Sequence, residues 1–361
     1  MAKKKLILAN GKEFFCEGFG ANSQKSMCEI VFNTSMAGYQ EIVSDPSYTD
    51  QMVVMTYPLI GNYGITDEDY ESHTIGLKGM IVREYNDLPS NFRYTKTLGE
   101  LLEENSVAGI SGVDTRMITR IIRNQGSMTA CICDAHLDTQ EILRELAEYK
   151  QPTNQVEKVS CKKIWYSRTP NHIYSVVAVD CGIKLNMIRI LNELGCNVTI
   201  VPYNTNAQKI LSLNPDGVFF SNGPGDPQNL PEIAQTVREI AGKKPVMGVC
   251  LGHQIICLAF GAKTYKLKFG HRGGNHPVKN ILSGKVYITS QNHSYAVDEK
   301  SLKNTCLEVS HINLLDKTVE GVKSKNNNII SVQFHPESAP GPIDSAELFG
   351  DFLKAIKEYK N

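Results

Sequence analysis

From Tyr174 onward the chain alternates apolar strand-like runs with helix-length segments, and this alternation constrains the fold more than any other feature. The runs are Ser175-Val176-Val177-Ala178-Val179, Asn197-Val198-Thr199-Ile200-Val201, Gly217-Val218-Phe219-Phe220 and Pro245-Val246-Met247-Gly248-Val249. Asn186 to Leu194, closed by Gly195, is the clearest helix between them. Strands that lack polar alternation are buried on both faces, so the pattern predicts an α/β domain with a doubly wound, mostly parallel sheet. Pro245 to Ala262 carries no Asp, Glu, Lys or Arg, which raises the question of a membrane span. Gly248, Gly252, His253 and Gln254 interrupt it, so it reads as strand, turn and buried helix.

The first half has a different texture. Lys5-Leu6-Ile7-Leu8-Ala9, Asn10-Gly11 and Lys12-Glu13-Phe14-Phe15 form two short runs around the strongest two-residue hairpin signal. Later come a strand-like Met52-Val53-Val54-Met55 and a helical pattern from Arg116 to Ile122 closed by Gly126, without regular alternation. An α+β domain over 1–150 is expected. At roughly 150 residues per domain, 361 residues accommodate two. Apolar periodicity fades through Gln151-Pro152-Thr153-Asn154 and Arg168-Thr169-Pro170-Asn171, so 151–173 reads as a connection and 174–361 as the second domain.

With 38 Lys+Arg against 38 Asp+Glu, the chain has no whole-molecule charge with which to hold nucleic acid or an anionic membrane. Ten cysteines are dilute in this length, and Met1-Ala2-Lys3-Lys4-Lys5 leads into a short mixed run unlike a signal peptide, so a reducing cytoplasm is expected. Cys131 and Cys133 are one residue apart with no second pair at zinc-ribbon spacing, and His271, His276 and His293 lack a ligand framework. No metal site is expected.

Gly248-Val249-Cys250-Leu251-Gly252 places a cysteine between a hydrophobic strand and a helix, which is the form of a nucleophile elbow with Cys in place of Ser. The flanking glycines let backbone pass closely, and the free N–H groups of the helix start favour a thiolate. A buried core cysteine is the plainer alternative, and it suits most of the other nine. A base is offered by Phe334-His335-Pro336-Glu337 at the end of Ile329-Ile330-Ser331-Val332. Extended backbone across Pro336 puts His335 and Glu337 on one side, completing a Cys-His-Glu triad; a surface turn is the alternative. Ser221-Asn222-Gly223-Pro224-Gly225-Asp226-Pro227 follows the strand ending at Phe220, at the same sheet edge, and offers N–H groups for an oxyanion. It lacks the Gly-Lys-Ser/Thr ending of a phosphate-binding loop.

In that order these three motifs make the second half resemble a class I (triad) glutamine amidotransferase domain. Three further stretches, Asp180 to Asn186, Lys268 to Pro277 and Gln291-Asn292-His293-Ser294-Tyr295, resemble the carbamoyl-phosphate synthase small-subunit family. So do Val31 to Glu41, Ser44-Asp45-Pro46-Ser47-Tyr48 and Gly112 to Arg116 in the first half. The resemblance covers Lys5 to about Lys354. Ser294, where glycine is common, and Phe334 are the variable positions.

The resemblance implies that Cys250 attacks the carboxamide of L-glutamine to give a thioester, that His335 protonates the leaving ammonia and activates water, and that Glu337 orients His335. It implies backbone N–H donors at Leu251 and Gly223. Gly225, Gln254, Asn292, Ser294 and Tyr295 match positions that hold the amino-acid end of the substrate, with Ser47 contributed by the first domain. It further implies a large-subunit partner in a heterodimer, with ATP and magnesium bound there, no cofactor in this chain, and a docking role for 1–150. Another enzyme of the superfamily and a non-catalytic docking subunit are the rival readings. The second predicts a missing Cys or His, and both are present.

Overall fold

The computed structural model describes residues 3–324, 326 and 328–361. Met1 and Ala2, part of the amino-terminal run considered above, lie outside that range. Contacts divide the chain into two compact units at the Pro152–Thr153 step.

The first unit is built from β1 (Lys3–Leu8), β2 (Glu13–Gly20), β3 (Lys25–Asn33), β4 (Gln51–Met55), β5 (Leu59–Ile60), β6 (Gly79–Ile81), β7 (Glu84–Tyr85), β8 (Ala108–Ser111) and β9 (Met128–Asp134). Seven of these close into a barrel in the order β1-β2-β8-β6-β4-β3-β9, while β5 and β7 form a separate pair. The predicted hairpin is present: Ile7 pairs with Glu13, and Gly11 takes the positive φ (+85°) that its turn requires. Four helices accompany the barrel: α1 (Tyr39–Ser44), α2 (Leu98–Glu104), α3 (Thr115–Gln125) and α4 (Thr139–Glu148). Asp114 caps α3 by accepting the Met117 N–H, Ile118, Ile121 and Ile122 form its buried stripe, and Gly126 (φ +101°) ends it.

The second unit comprises α5 (Gln155–Val159), β10 (Trp165–Ser167), β11 (Tyr174–Asp180), α6 (Leu185–Glu193), β12 (Cys196–Pro202), α7 (Ala207–Ser212), β13 (Gly217–Phe220) and α8 (Pro231–Ile240). It continues with β14 (Val246–Val249), α9 (Leu251–Ala259), β15 (Thr264–Asn280), β16 (Val286–Val297), β17 (Glu308–Asn313), β18 (Val319–Ser324), β19 (Ile329–Val332) and α10 (Glu347–Lys360). These strands make one ten-stranded sheet, β10-β12-β11-β13-β14-β19-β18-β16-β15-β17. β12, β11, β13, β14 and β19 are mutually parallel, and the remainder is antiparallel. Val177, Val179 and Val246 face a core completed by α7, α8 and α9; Val176, Ala178 and Met247 face the one completed by α6 and α10. Burial on both faces is why these strands carry continuous apolar runs.

The segment read as a connection is mostly part of this unit. α5 buries Val156 in the core, and β10 pairs antiparallel with β12 as the edge strand. Its polar texture reflects an edge position rather than a linker.

Candidate active site

All five parallel strands point the same way, so the segments leaving β11, β13, β14 and β19 gather at one sheet edge. Cys250 leaves β14 with φ +54° and ψ −105°, a conformation outside the ordinary range for a side-chain-bearing residue. Backbone bonds hold it there. Its N–H donates to Val332 O at 2.9 Å, and its carbonyl accepts the Gln254 N–H at 3.1 Å. A side chain at Gly248 would come within 2.4 Å of Ile256, and one at Gly252 within 2.2 Å of the Phe220 carbonyl. Both glycines are thus required by close approach, as the elbow pattern implied.

His335 follows β19. Its N–H donates to Ser290 O at 2.9 Å, and its ring Nδ1 lies 2.7 Å from Glu337 Oε1. The pair meets for a different local reason than expected. Ser338 N–H donates to His335 O, so the backbone makes a turn over Pro336 and Glu337 rather than running extended. Both side chains are buried. Burial opposes the charge on His335, but the Glu337 carboxylate and then the Cys250 sulfur outweigh it and raise the imidazole pKa. Ring Nε2, the nitrogen turned away from Glu337, is buried as well.

Lys184 is the residue that sequence reasoning missed. Fully buried lysines are rare unless paired. This one, between β11 and α6, donates from Nζ to Glu337 Oε1 at 2.8 Å and also to Ser338 O. Asn186 Nδ2 adds a bond to Glu337 O at 2.6 Å. Burial would raise the Glu337 pKa; Lys184 first, then His335, hold it below the usual carboxylate range. The available signal was a lone cation in an apolar turn, Asp180-Cys181-Gly182-Ile183-Lys184, at the carboxyl end of a buried strand.

The glycine-proline loop lies against the elbow: Gly252 N–H donates to Ser221 O at 3.0 Å. A side chain at Gly223 would lie 2.1 Å from Cys181 O and 2.9 Å from Leu251 Cδ2, which places Gly223 and Leu251 side by side. Gly225 (φ +92°) lies against Gln155 of α5. From β16, Asn292 O accepts from the Cys250 thiol at 3.5 Å, and Tyr295 O accepts from Gln254 Nε2 at 2.9 Å. Ser294 Oγ accepts from Arg272. Of the second-unit residues singled out from the sequence, Asn292 meets the Cys250 thiol directly, Gly223 lies beside Leu251, and Gln254 ties the elbow helix to Tyr295, while Gly225 and Ser294 contact Gln155 and Arg272 instead. Ser47 belongs to the first unit, in a short 3-10 turn where Asp45 Oδ1 accepts its N–H at 2.9 Å.

Residues 177–355 match the family of class-I glutamine amidotransferases, and residues 6–132 match the carbamoyl-phosphate synthase small chain, CPSase domain. A carbamoyl phosphate synthase small chain from Fusobacterium nucleatum is 50% identical over 99% of each chain. One from Staphylococcus epidermidis is 51% identical over all of this chain and 98% of its own. The chain belongs to the carbamoyl-phosphate synthase small-chain family. A Listeria innocua small chain agrees, 47% identical over 99% of this chain and 97% of its own. The match takes in the barrel unit, which carries the Asn33 to Ser47 stretch. Among the described residues no helix is long and apolar enough to cross a membrane.

Proposed function

We propose that this small chain hydrolyses L-glutamine with a Cys250-His335-Glu337 triad and passes the ammonia to a large synthetase subunit. The observation that carries this reading is a buried imidazole tied to Glu337 beside a thiol in an elbow turn. Cys250 Sγ attacks the carboxamide carbon, and its proton goes to His335 Nε2. The oxyanion forms beside the N–H groups of Leu251 and Gly223. The C–N bond then breaks, His335 returns the proton to the leaving ammonia, and a thioester remains. Water deprotonated by His335 attacks that thioester, and the S–C bond breaks to release glutamate and restore the thiol.

Glu337 keeps one His335 nitrogen occupied so that the other faces the sulfur, and Lys184 keeps Glu337 ionised. Gly225, Gln254, Asn292, Ser294 and Tyr295 are proposed to hold the amino-acid end, supplying register and binding energy. The second unit is read as a doubly wound fold with its site at the carboxyl edge, and the first as a docking domain. The complex is proposed as a cytoplasmic heterodimer, alone or in a higher oligomer, in which the large subunit binds ATP and magnesium and makes carbamoyl phosphate from bicarbonate, for arginine synthesis, pyrimidine synthesis or both.

Cys250→Ser in the assembled complex tests the assignment. Glutamate release is expected to fall by at least about a thousandfold, because serine is a far weaker nucleophile, while synthesis from free ammonia survives. Near-normal glutamate release would remove Cys250 from the mechanism.

A further inference from the structure

Behind the thiol, between β15, β16 and β18, lies a buried polar cluster that the triad does not use. His271 on β15 pairs in register with His293 on β16, their ring centroids 4.9 Å apart and nearly perpendicular. His293 spans its own strand: Nδ1 lies 2.7 Å from Tyr295 O and Nε2 3.0 Å from Gln291 Oε1. Between those anchors sits Asn292, whose carbonyl meets the Cys250 thiol. On the other side, His271 Nε2 lies 2.8 Å from Asp316 Oδ2, and Nδ1 lies 3.6 Å from Glu320 Oε1. Glu320 is fully buried. Its side chain accepts from Asn313 and Thr318, and its carbonyl accepts the Gln333 N–H, two residues before His335.

We propose that His271, as an imidazolium held between Glu320 and Asp316, is a positioning residue for glutamine binding that fixes the Gln291–Tyr295 segment of β16 from behind. The inference rests on the glutaminase reading of the Cys250 site. Other groups facing His271 leave it the cation of the cluster. Burial lowers the pKa of His276 to about 4 and that of His293 well below its ordinary value, so both are neutral. Arg272, bonded to Ser294 and Phe269 O, adds positive charge beside His293. Burial also opposes charge on His271, but the bond to Asp316 and the nearby Glu320 carboxylate prevail and raise its pKa to about 9.

The same side chains offer one donor atom each from His271, His293 and Glu320 within 4.8 Å of one another. Tetrahedral zinc holds such donors about 3.3 Å apart, given metal–nitrogen bonds of about 2.0 Å. Both His293 nitrogens are already engaged, so the cluster as it stands does not suit a metal. A neutral His271 would leave Glu320 buried without its cation, and the strain falls on β16 and on the strand that leads to His335.

The test uses the full chain in complex, with glutamate release as readout. His271→Gln is expected to raise KM for glutamine about tenfold, with a smaller change in kcat, in line with coupling inside one buried network. Adding Glu320→Gln to it is expected to recover most of the loss, since the double variant buries no lone carboxylate. In the unaltered protein KM is expected to rise as pH passes about 9, the value to which Asp316 and Glu320 raise His271. Glu320→Gln alone keeps His271 but moves that step to lower pH, a readout available even if His271→Gln fails to fold. An unchanged KM in His271→Gln, a double variant no better than the single, or stoichiometric zinc that His271→Gln loses would each overturn the proposal. Absence of glutamate release by the unaltered complex would instead overturn the glutaminase reading.

Discussion

The barrel and the parallel sheet bury the same residue types and put them to different ends. Cys16 and Cys28 sit on barrel strands, where burial pushes the first thiol up to about 12 and the second well above its ordinary value. Neither lies in an elbow or beside an imidazole held by a carboxylate. Cys250 is as buried as these, but it occupies a strained turn at a helix start with His335 opposite. The lysines repeat the contrast. Lys4 in the barrel pairs with Asp134 at 2.5 Å and bonds Ser23 O, a pair that reaches solvent on the carboxylate side. Lys184 pairs with a carboxylate that is itself fully buried and also holds His335. The difference lies in the second group that the first partner touches: Glu337 joins Lys184 to His335 in one buried chain, whereas Asp134 ends the Lys4 pair at the solvent.

His335→Asn breaks the comparison most severely. With the base gone, Cys250 should behave like a barrel cysteine, and kcat for glutamate release should fall by about 10²–10⁴-fold. Glu337→Gln should cost less, because the base remains though poorly oriented. Equal, mild losses in steady-state assays of the two would reduce the His-Pro-Glu segment to a structural turn.

Lys184→Met comes next. It leaves Glu337 buried without its cation, at a cost of about 3–5 kcal/mol in stability by chemical denaturation. Because Lys184 lowers the Glu337 pKa, its removal should carry the acid limb of the pH–rate profile to higher pH. The sign follows from linkage: a carboxylate with a depressed folded pKa contributes stability above its unfolded pKa and loses it as pH falls through the folded value. An unshifted limb would make Lys184 a packing residue only.

The smallest effect belongs to the barrel. Cys28→Ser buries a hydroxyl in place of a thiol and should lower stability by about 1–3 kcal/mol. Glutamate release per folded molecule should not change; a matching loss of activity would blur the distinction between the two regions.

How much of this the sequence showed depends on how local each feature is. The elbow, the His-Pro-Glu segment and the Asn10-Gly11 hairpin are written in two to five consecutive residues whose conformational needs are specific, and each lies where expected, although the backbone over Pro336 turns instead of running extended. The barrel closure is invisible in the sequence because it rests on β1 pairing with β9 across more than a hundred residues. The β15/β16 hairpin was also missed, since Gly270, Gly273 and Gly274 and two register shifts break its alternation. Lys184 was quoted within a motif yet given no role, because a buried ion pair with Glu337 joins residues 153 apart. For the same reason, α5 and β10 looked like connecting chain: their partners lie on strands that come later.

On the proposed mechanism one thiol, chosen by its surroundings, carries the acyl group. Mixing the intact complex with glutamine, quenching in acid within the first turnovers and mapping peptides by mass spectrometry addresses it directly. The account predicts a glutamyl thioester on the peptide containing Cys250, absent in Cys250→Ser, with the barrel cysteines unmodified. An acyl group on any other cysteine, or glutamate release that continues in Cys250→Ser, would contradict it.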